Sequence, residues 1–244
     1  VLTSDLVTKL KSYKQEIIEL LQQIQGEDTS VEITVASKKE YYPLSFSQNR
    51  LWVLDQFEQV GAVFNMAMHY WLYGAVDATL FEQAFEILVE RHEILRTRFA
   101  YKEGQPYQHV LQHASEGISF ENLDYSNKEN PNEFVQAKAQ EIAESKFSLE
   151  KDPLLKVALI KVSNERYFLS LCIHHIISDE WSMNILVRDV IAIYDGLKSG
   201  EKVNLQPLRI QFKDYASWEL ENIKNENVSK HYWLQKLSGT LPVL

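Results

Sequence analysis

Two adjacent histidines followed by a carboxylate, in the run His174-His175-Ile176-Ile177-Ser178-Asp179-Glu180, are the residues of this chain best suited to chemistry. A neutral imidazole titrates near working pH, so a histidine beside a cleft can serve as a general base. A metal is poorly served, because the run has no thiolate. Neighbouring side chains on a strand also point to opposite faces, so a regular strand cannot turn both rings toward one small ligand. The competing reading is a pair of core histidines satisfied by backbone groups.

The elements around this run must position it. Arg166 to Ile173 is almost wholly apolar and short, as expected of a strand buried on both faces. Beyond it Trp181, Ile185, Leu186, Val190, Ile191 and Tyr194 recur at helical spacing, with Asp195-Gly196 as the expected stop. The histidines therefore stand where a buried strand ends, a rigid support for a site. Leu154 to Val162 reads as an antiparallel neighbour joined through Ser163-Asn164-Glu165, and Met66 to Tyr73 as a further strand. Arg96 to Tyr101 and Tyr107 to Leu111 read as a hairpin around Glu103-Gly104. Helices are expected over Ser45 to Phe57, after Asp77 with a stripe of Phe81, Ala84, Phe85, Leu88 and Val89, over Phe134 to Phe147, and through most of Phe212 to Leu237. The fold class is α/β, an α+β sandwich in which helices cover a mixed, largely antiparallel sheet.

Composition narrows the function. A chain of 244 residues can bury a sizeable core, and a net charge of −9 argues against a nucleic-acid surface, which needs clustered Lys and Arg. No apolar run approaches the roughly 20 residues that span a bilayer, which argues against a membrane partner. The single cysteine, Cys172, cannot form an internal disulfide, and the cytoplasm is the expected location. Leu6, Leu10, Tyr13, Ile17, Leu20, Leu21 and Ile24 form a helical stripe followed by Gly26, so residues 1–26 read as a small separate helix and 27–40 as a linker.

Four stretches, in order, resemble the motifs of nonribosomal peptide synthetase condensation domains. Ser45-Phe46-Ser47-Gln48-Asn49-Arg50-Leu51-Trp52-Val53-Leu54 resembles the first motif, and Arg91-His92-Glu93-Ile94-Leu95-Arg96-Thr97-Arg98-Phe99 the second. His174 to Glu180 resembles the His-His-x-x-x-Asp-Gly signature, and Gln211-Phe212-Lys213-Asp214-Tyr215-Ala216-Ser217-Trp218 the fourth, with Phe212 where tyrosine is usual. The resemblance implies a chloramphenicol acetyltransferase-like lobe that joins a donor aminoacyl or peptidyl thioester to the amine of an acceptor aminoacyl thioester. The lobe itself binds no cofactor; both substrates ride on phosphopantetheine arms of upstream and downstream carrier proteins. His175 is implied as the residue facing the tunnel where the arms meet, either taking a proton or positioning the amine. His174 is implied to be a structural partner facing away. Asp179 is implied to brace the site by pairing with Arg91 or Arg96. Ser178, Glu180, Trp181 and Trp218 are expected along the substrate tunnel. The wording of the motifs resembles the class that joins an L-configured donor to an L-configured acceptor.

Glu180 stands where the signature has glycine, and a carboxylate there can narrow the tunnel or place a charge beside His175. The resemblance assigns residues 41–220 to the first of two similar lobes and 221–244 to a helix leading toward the second, so that this stretch alone is expected to be inactive. Leu2 to Leu21 resembles the last helix of N-terminal docking domains, which bind the C-terminal tail of an upstream synthetase. Two other classes compete: a non-catalytic module that binds carrier proteins, and a stand-alone acyltransferase of the same superfamily.

Overall fold

The computed structural model describes residues 12–16, 18, 32–56, 61–201, 203, 205–222 and 226–239. Of the apolar stripe expected in the first helix, only Tyr13 falls among them. The chain divides into two compact units at Ile33–Thr34, and the second carries everything discussed below.

In chain order, the second unit begins with strand β1 (Tyr42–Pro43), helix α1 (Phe46–Asp55), strand β2 (Asn65–Tyr73) and helix α2 (Ala78–Arg91). Strands β3 (Thr97–Lys102), β4 (Gln105–Val110) and β5 (Ile118–Asp124) follow, then helix α3 (Pro131–Ala143) and strands β6 (Leu155–Ser163) and β7 (Arg166–His174). Helices α4 (Glu180–Ser199), α5 (Phe212–Asn222) and α6 (Glu226–Lys236) complete the described part.

The larger sheet has the order β2-β7-β6-β5, with β5 parallel to β6 and the other pairs antiparallel. This is the mixed, mostly antiparallel sheet expected from the sequence. Strand β5 was not foreseen: Ile118 to Asp124 alternates weakly and lies among charged and turn residues. Its pairing with β6 through the crossover helix α3 is a tertiary choice that short-range pattern does not encode. The hairpin β3–β4 does form, with Glu103 and Gly104 both at positive φ in its two-residue turn. It joins β1 in a separate three-stranded sheet instead of extending the main one.

Strand β7 is buried along nearly its whole length because both of its faces are covered. Leu169, Leu171 and Ile173 pack with α2 and α4 in one core, whereas Phe168 and Cys172 pack with Val135 and Ile142 of α3 in a second. The alternation of strand side chains divides the two cores. Helix α2 buries Phe81, Ala84, Phe85, Leu88 and Val89, and the Asp77 carboxylate caps its first turn.

Helix α4 departs from expectation in two ways. Its buried face is Met183, Leu186, Asp189, Val190 and Ile193, while Trp181 is 79 % exposed and Ile191 faces out. A polar Asp189 on the buried face hides the true stripe from an apolar pattern. The helix also runs through Gly196 and ends at Gly200, which adopts φ 70° in a left-handed cap. Gly196 is a packing site instead of a stop, since a Cβ there would lie 2.7 Å from Val203 Cγ2.

The tightest backbone approach is at Gly117, ahead of β5. A Cβ there would meet Val89 Cγ1 at 2.7 Å and both Arg96 Cβ and the Leu95 carbonyl at 2.8 Å. None of these is the free end of a flexible chain. Gly117→Ala is expected to destabilise the protein by about 1–3 kcal/mol, read as a lower thermal midpoint. An unchanged midpoint would show that this approach is not a constraint.

Candidate active site

The run from His174 to Asp179 links the last residue of β7 to the first turn of α4. His174 is still in the ladder, 3 % exposed, opposite Asn65 of β2. Its Nδ1 accepts from the Ile176 backbone N–H at 3.2 Å, and Phe64 and Phe147 approach its ring edge-on. Burial, and then the neighbouring charge of His175, push its pKa down to about 4, so it is a neutral structural ring. Asp55 Oδ1 lies 3.9 Å from its Nε2.

One residue later the chain leaves the strand, and His175 is exposed. Its backbone N–H donates to the Phe64 carbonyl at 2.8 Å, which holds the turn against the segment before β2. Its Nδ1 lies 2.6 Å from the Ser178 carbonyl oxygen. A carbonyl only accepts, so Nδ1 carries a hydrogen, and in the neutral ring the lone pair is on Nε2. The turn that places the ring therefore also sets its tautomer.

His175 lines a cleft of about 740 Å³. The cleft is also lined by Ser47, Arg50, Leu51 and Leu54 of α1 and by Phe212 and Tyr215 of α5. Buried Gln48 ties the first motif to the histidine turn: its Nε2 donates to the Ile176 carbonyl at 3.3 Å, while its Oε1 accepts from Ser45 N–H in a capping box. The fourth motif ties down the second. Gln211 donates to the Arg91 carbonyl at 3.0 Å and accepts from Glu93 N–H at 3.1 Å, and Lys213 pairs with Glu93. Asp214, also buried, accepts from Gln211 N–H at 2.7 Å and Ala36 N–H at 3.0 Å.

The expected brace between Asp179 and an arginine is not made. Asp179 is the N-cap of α4 and accepts from Ser182 N–H at 2.7 Å and Ser182 Oγ at 2.5 Å. Those bonds, with His175 nearby, hold its carboxyl below the ordinary range. Arg91 instead reaches Asp189 Oδ2 at 3.0 Å, and Arg96 donates to the carbonyls of Val89, Glu90 and Leu111. Arg96 thus fastens the C-terminal end of α2, where unpaired carbonyls accumulate, and has no reach left for Asp179.

Asp189 is the residue that sequence reasoning missed. It is fully buried and receives Arg91, Arg188 and His92 together, at 3.0 to 3.1 Å in their closest contacts. Burial alone would raise its carboxyl pKa, but the hydrogen bonds from His92, Arg188 and Arg91 outweigh it and hold the value below normal. An aspartate at a helix position otherwise spaced for the core was the available signal. Of the residues expected along a tunnel, Ser178 lines the cleft, but Glu180, Trp181 and Trp218 are not among its lining residues. Glu180 occupies the first turn of α4, exposed, and Trp218 is half-buried on α5 beside Tyr215. Among the described residues, no cluster of three or more His, Cys, Asp or Glu is arranged to hold a metal, and no helix is long and apolar enough to cross a membrane.

Residues 38–244 match the family model for the Condensation domain. The chain belongs to the condensation domain family of nonribosomal peptide synthetases. It is 37 % identical over 222 residues to tyrocidine synthase 3 of Brevibacillus parabrevis, covering 90 % of this chain and 3 % of that protein. It is 33 % identical to bacitracin synthase 2 of Bacillus licheniformis, covering 100 % of this chain and 9 % of that one. Among solved structures, the X-domain of teicoplanin biosynthesis, in its complex with OxyB, is similar with a TM-score of 0.76 and 27 % identity, over 87 % of this chain and 47 % of that one. The starter condensation domain of rhizomide synthetase shares the fold, with a TM-score of 0.75 and 20 % identity, over 83 % of this chain and 49 % of that one. This condensation-domain chain thus spans under a tenth of those synthases and about half of those solved chains.

The neutral, buried His174 generates a test of stability against pH. Its folded pKa of about 4 lies below the ordinary 6.5, so the unfolded chain binds the extra proton first. Its contribution is fully present above pH 6.5 and declines as pH falls toward 4, by on the order of 3 kcal/mol. His174→Gln, an uncharged replacement, is expected to flatten stability between those pH values. Denaturant melts of both proteins that fall in parallel would contradict it.

Proposed function

We propose that this chain forms the His175-bearing half of an amide-forming centre, in which an acceptor aminoacyl amine attacks a donor aminoacyl or peptidyl thioester. The observation that carries the reading is the cleft-lining His175 with its hydrogen fixed on Nδ1 by the Ser178 carbonyl, which leaves Nε2 as the basic nitrogen. The amine nitrogen bonds to the thioester carbon, and the tetrahedral intermediate collapses with loss of the C–S bond. The proton shed by the amine is taken or steered by Nε2 and ends on the departing thiolate. A neutral amine is already a good nucleophile, so holding it against the carbonyl supplies much of the acceleration.

In this reading both substrates arrive on phosphopantetheine arms of upstream and downstream carrier proteins, and a second lobe closes the other side of the cleft. The lengths of the solved relatives, about twice that of the matched stretch, support the second lobe. The motif wording supports an L-configured donor and an L-configured acceptor. Asp179 acts here as the N-cap that shapes the turn beneath His175, and His174 as its buried counterpart.

In the full-length protein, His175→Ala is expected to lower amide formation from loaded carrier proteins at least about 100-fold while leaving carrier binding and the thermal midpoint in place. A rate within a few-fold of the parent would overturn the assignment. Residues 1–244 expressed alone are expected to form no amide. Glu180→Gly is expected to leave the rate within about threefold, because Glu180 is exposed on α4 and is not among the residues that line the cleft. A larger gain would mean that the carboxylate impedes the arm.

One observation favours a second reading, a partner-binding module: the similar X-domain was solved in a complex with OxyB. Full amide formation by the parent, abolished in His175→Ala, excludes a purely binding role.

A further inference from the structure

His92 lines the same cleft as His175, and the reaction as proposed gives it no task. Its Nε2 lies 3.1 Å from Asp189 Oδ2, so Nε2 carries the ring hydrogen. Asp189 in turn has its charge matched by Arg91 and Arg188. Burial pushes the His92 pKa down against the pull of Asp189, and the ring is neutral. A neutral ring with its hydrogen on Nε2 has its lone pair on Nδ1. Among the described residues, the bond to Asp189 is the sole side-chain hydrogen bond of His92, so no protein donor meets Nδ1.

The neighbourhood gives that free acceptor its meaning. Ile94, Leu95, Ile185 and Leu186 line the cleft around it, an apolar wall on which an N–H group would otherwise go unpaired. His175 stands in the turn five residues before α4 begins, and His92 abuts Asp189 in the third turn of that helix, so the two histidines line different stretches of one cleft. An extended pantetheine arm carries two amide N–H groups, about 4 and about 9 Å from its sulfur by covalent dimensions. A thioester held at His175 would lay its arm, with those amides, in the cleft that His92 also lines.

We propose that His92 is a positioning residue for the substrate arm, its Nδ1 accepting a hydrogen bond from an amide N–H of the pantetheine, with Asp189 fixing the ring in the tautomer that can accept. The inference rests on the amide-forming reading of the cleft and adds to it a residue that selects for the amide groups of the arm. His92 and Asp189 together act as a fixed acceptor, whereas His175 alone meets the reacting centre.

The test uses the full-length protein and two probes, pantetheine and its analogue with both amide nitrogens replaced by ester oxygens. The parent is expected to bind pantetheine about tenfold more tightly than the ester, the size of one hydrogen bond in a desolvated site. His92→Phe is expected to remove that preference, and the parent's His92 Nδ1 nitrogen resonance is expected to move with pantetheine and not with the ester. If His92→Phe fails to fold, the parent's ligand preference and its nitrogen resonance decide the matter. Equal binding of the two probes by the parent, no binding of pantetheine, or a preference retained in folded His92→Phe overturns the inference. Amide formation by the parent, measured in parallel, separates the two readings: formation without the amide preference overturns only the role of His92. A moving His92 resonance without amide formation overturns only the reaction.

Discussion

The organisation of the cleft depends on one buried charge. Asp189, with no exposed surface, is stable as a carboxylate only because Arg91, Arg188 and His92 converge on it. Removing one partner of such a cluster leaves an uncompensated charge in the core, which costs far more than a surface ion pair contributes. The cluster therefore fixes the end of α2 against the middle of α4. Gln211 then fastens the Arg91 carbonyl to the start of α5, and Gln48 fastens α1 to the turn after His175. The first, second and fourth motifs are joined by hydrogen bonds around a cleft whose floor the histidine turn provides.

This arrangement separates two tasks that adjacent histidines appear to share in sequence. His174 remains in the sheet and is made neutral by burial. His175 leaves the ladder and is oriented by a backbone carbonyl. The difference is one residue of chain and a change of face. It follows from where β7 ends, because a strand one residue longer would carry His175 into the sheet as well.

Much of this was legible in the sequence. The apolar run of β7, the Asp77-capped stripe of α2 and the hairpin at Glu103-Gly104 each carry a local signal strong enough to survive packing. The family resemblance located the cleft residues His175 and Ser178. What stayed hidden was non-local. Strand β5 is defined by its partner β6, the separate small sheet by β1 pairing across the chain, and Asp189 by two arginines and a neutral histidine brought from two helices and the junction after α2. The expected pairing of Asp179 with Arg91 or Arg96 failed for the same reason. Ser182, three residues on, satisfies Asp179 locally, and both arginines are taken by partners that sequence order does not reveal.

The double covering of β7 has a dynamic consequence. A strand with a hydrogen-bonded neighbour on each side and a helical layer on each face has no partial opening available to it, so its amides exchange only when the whole domain opens. His175, one residue beyond, is anchored to that strand's end and, through its backbone N–H, to the Phe64 carbonyl. Helix α1, which also lines the cleft, reaches the histidine turn through the buried Gln48 and shows Phe46 and Val53 to solvent. The cleft is thus lined by one element rooted in the middle of the fold and by another that lies at its surface.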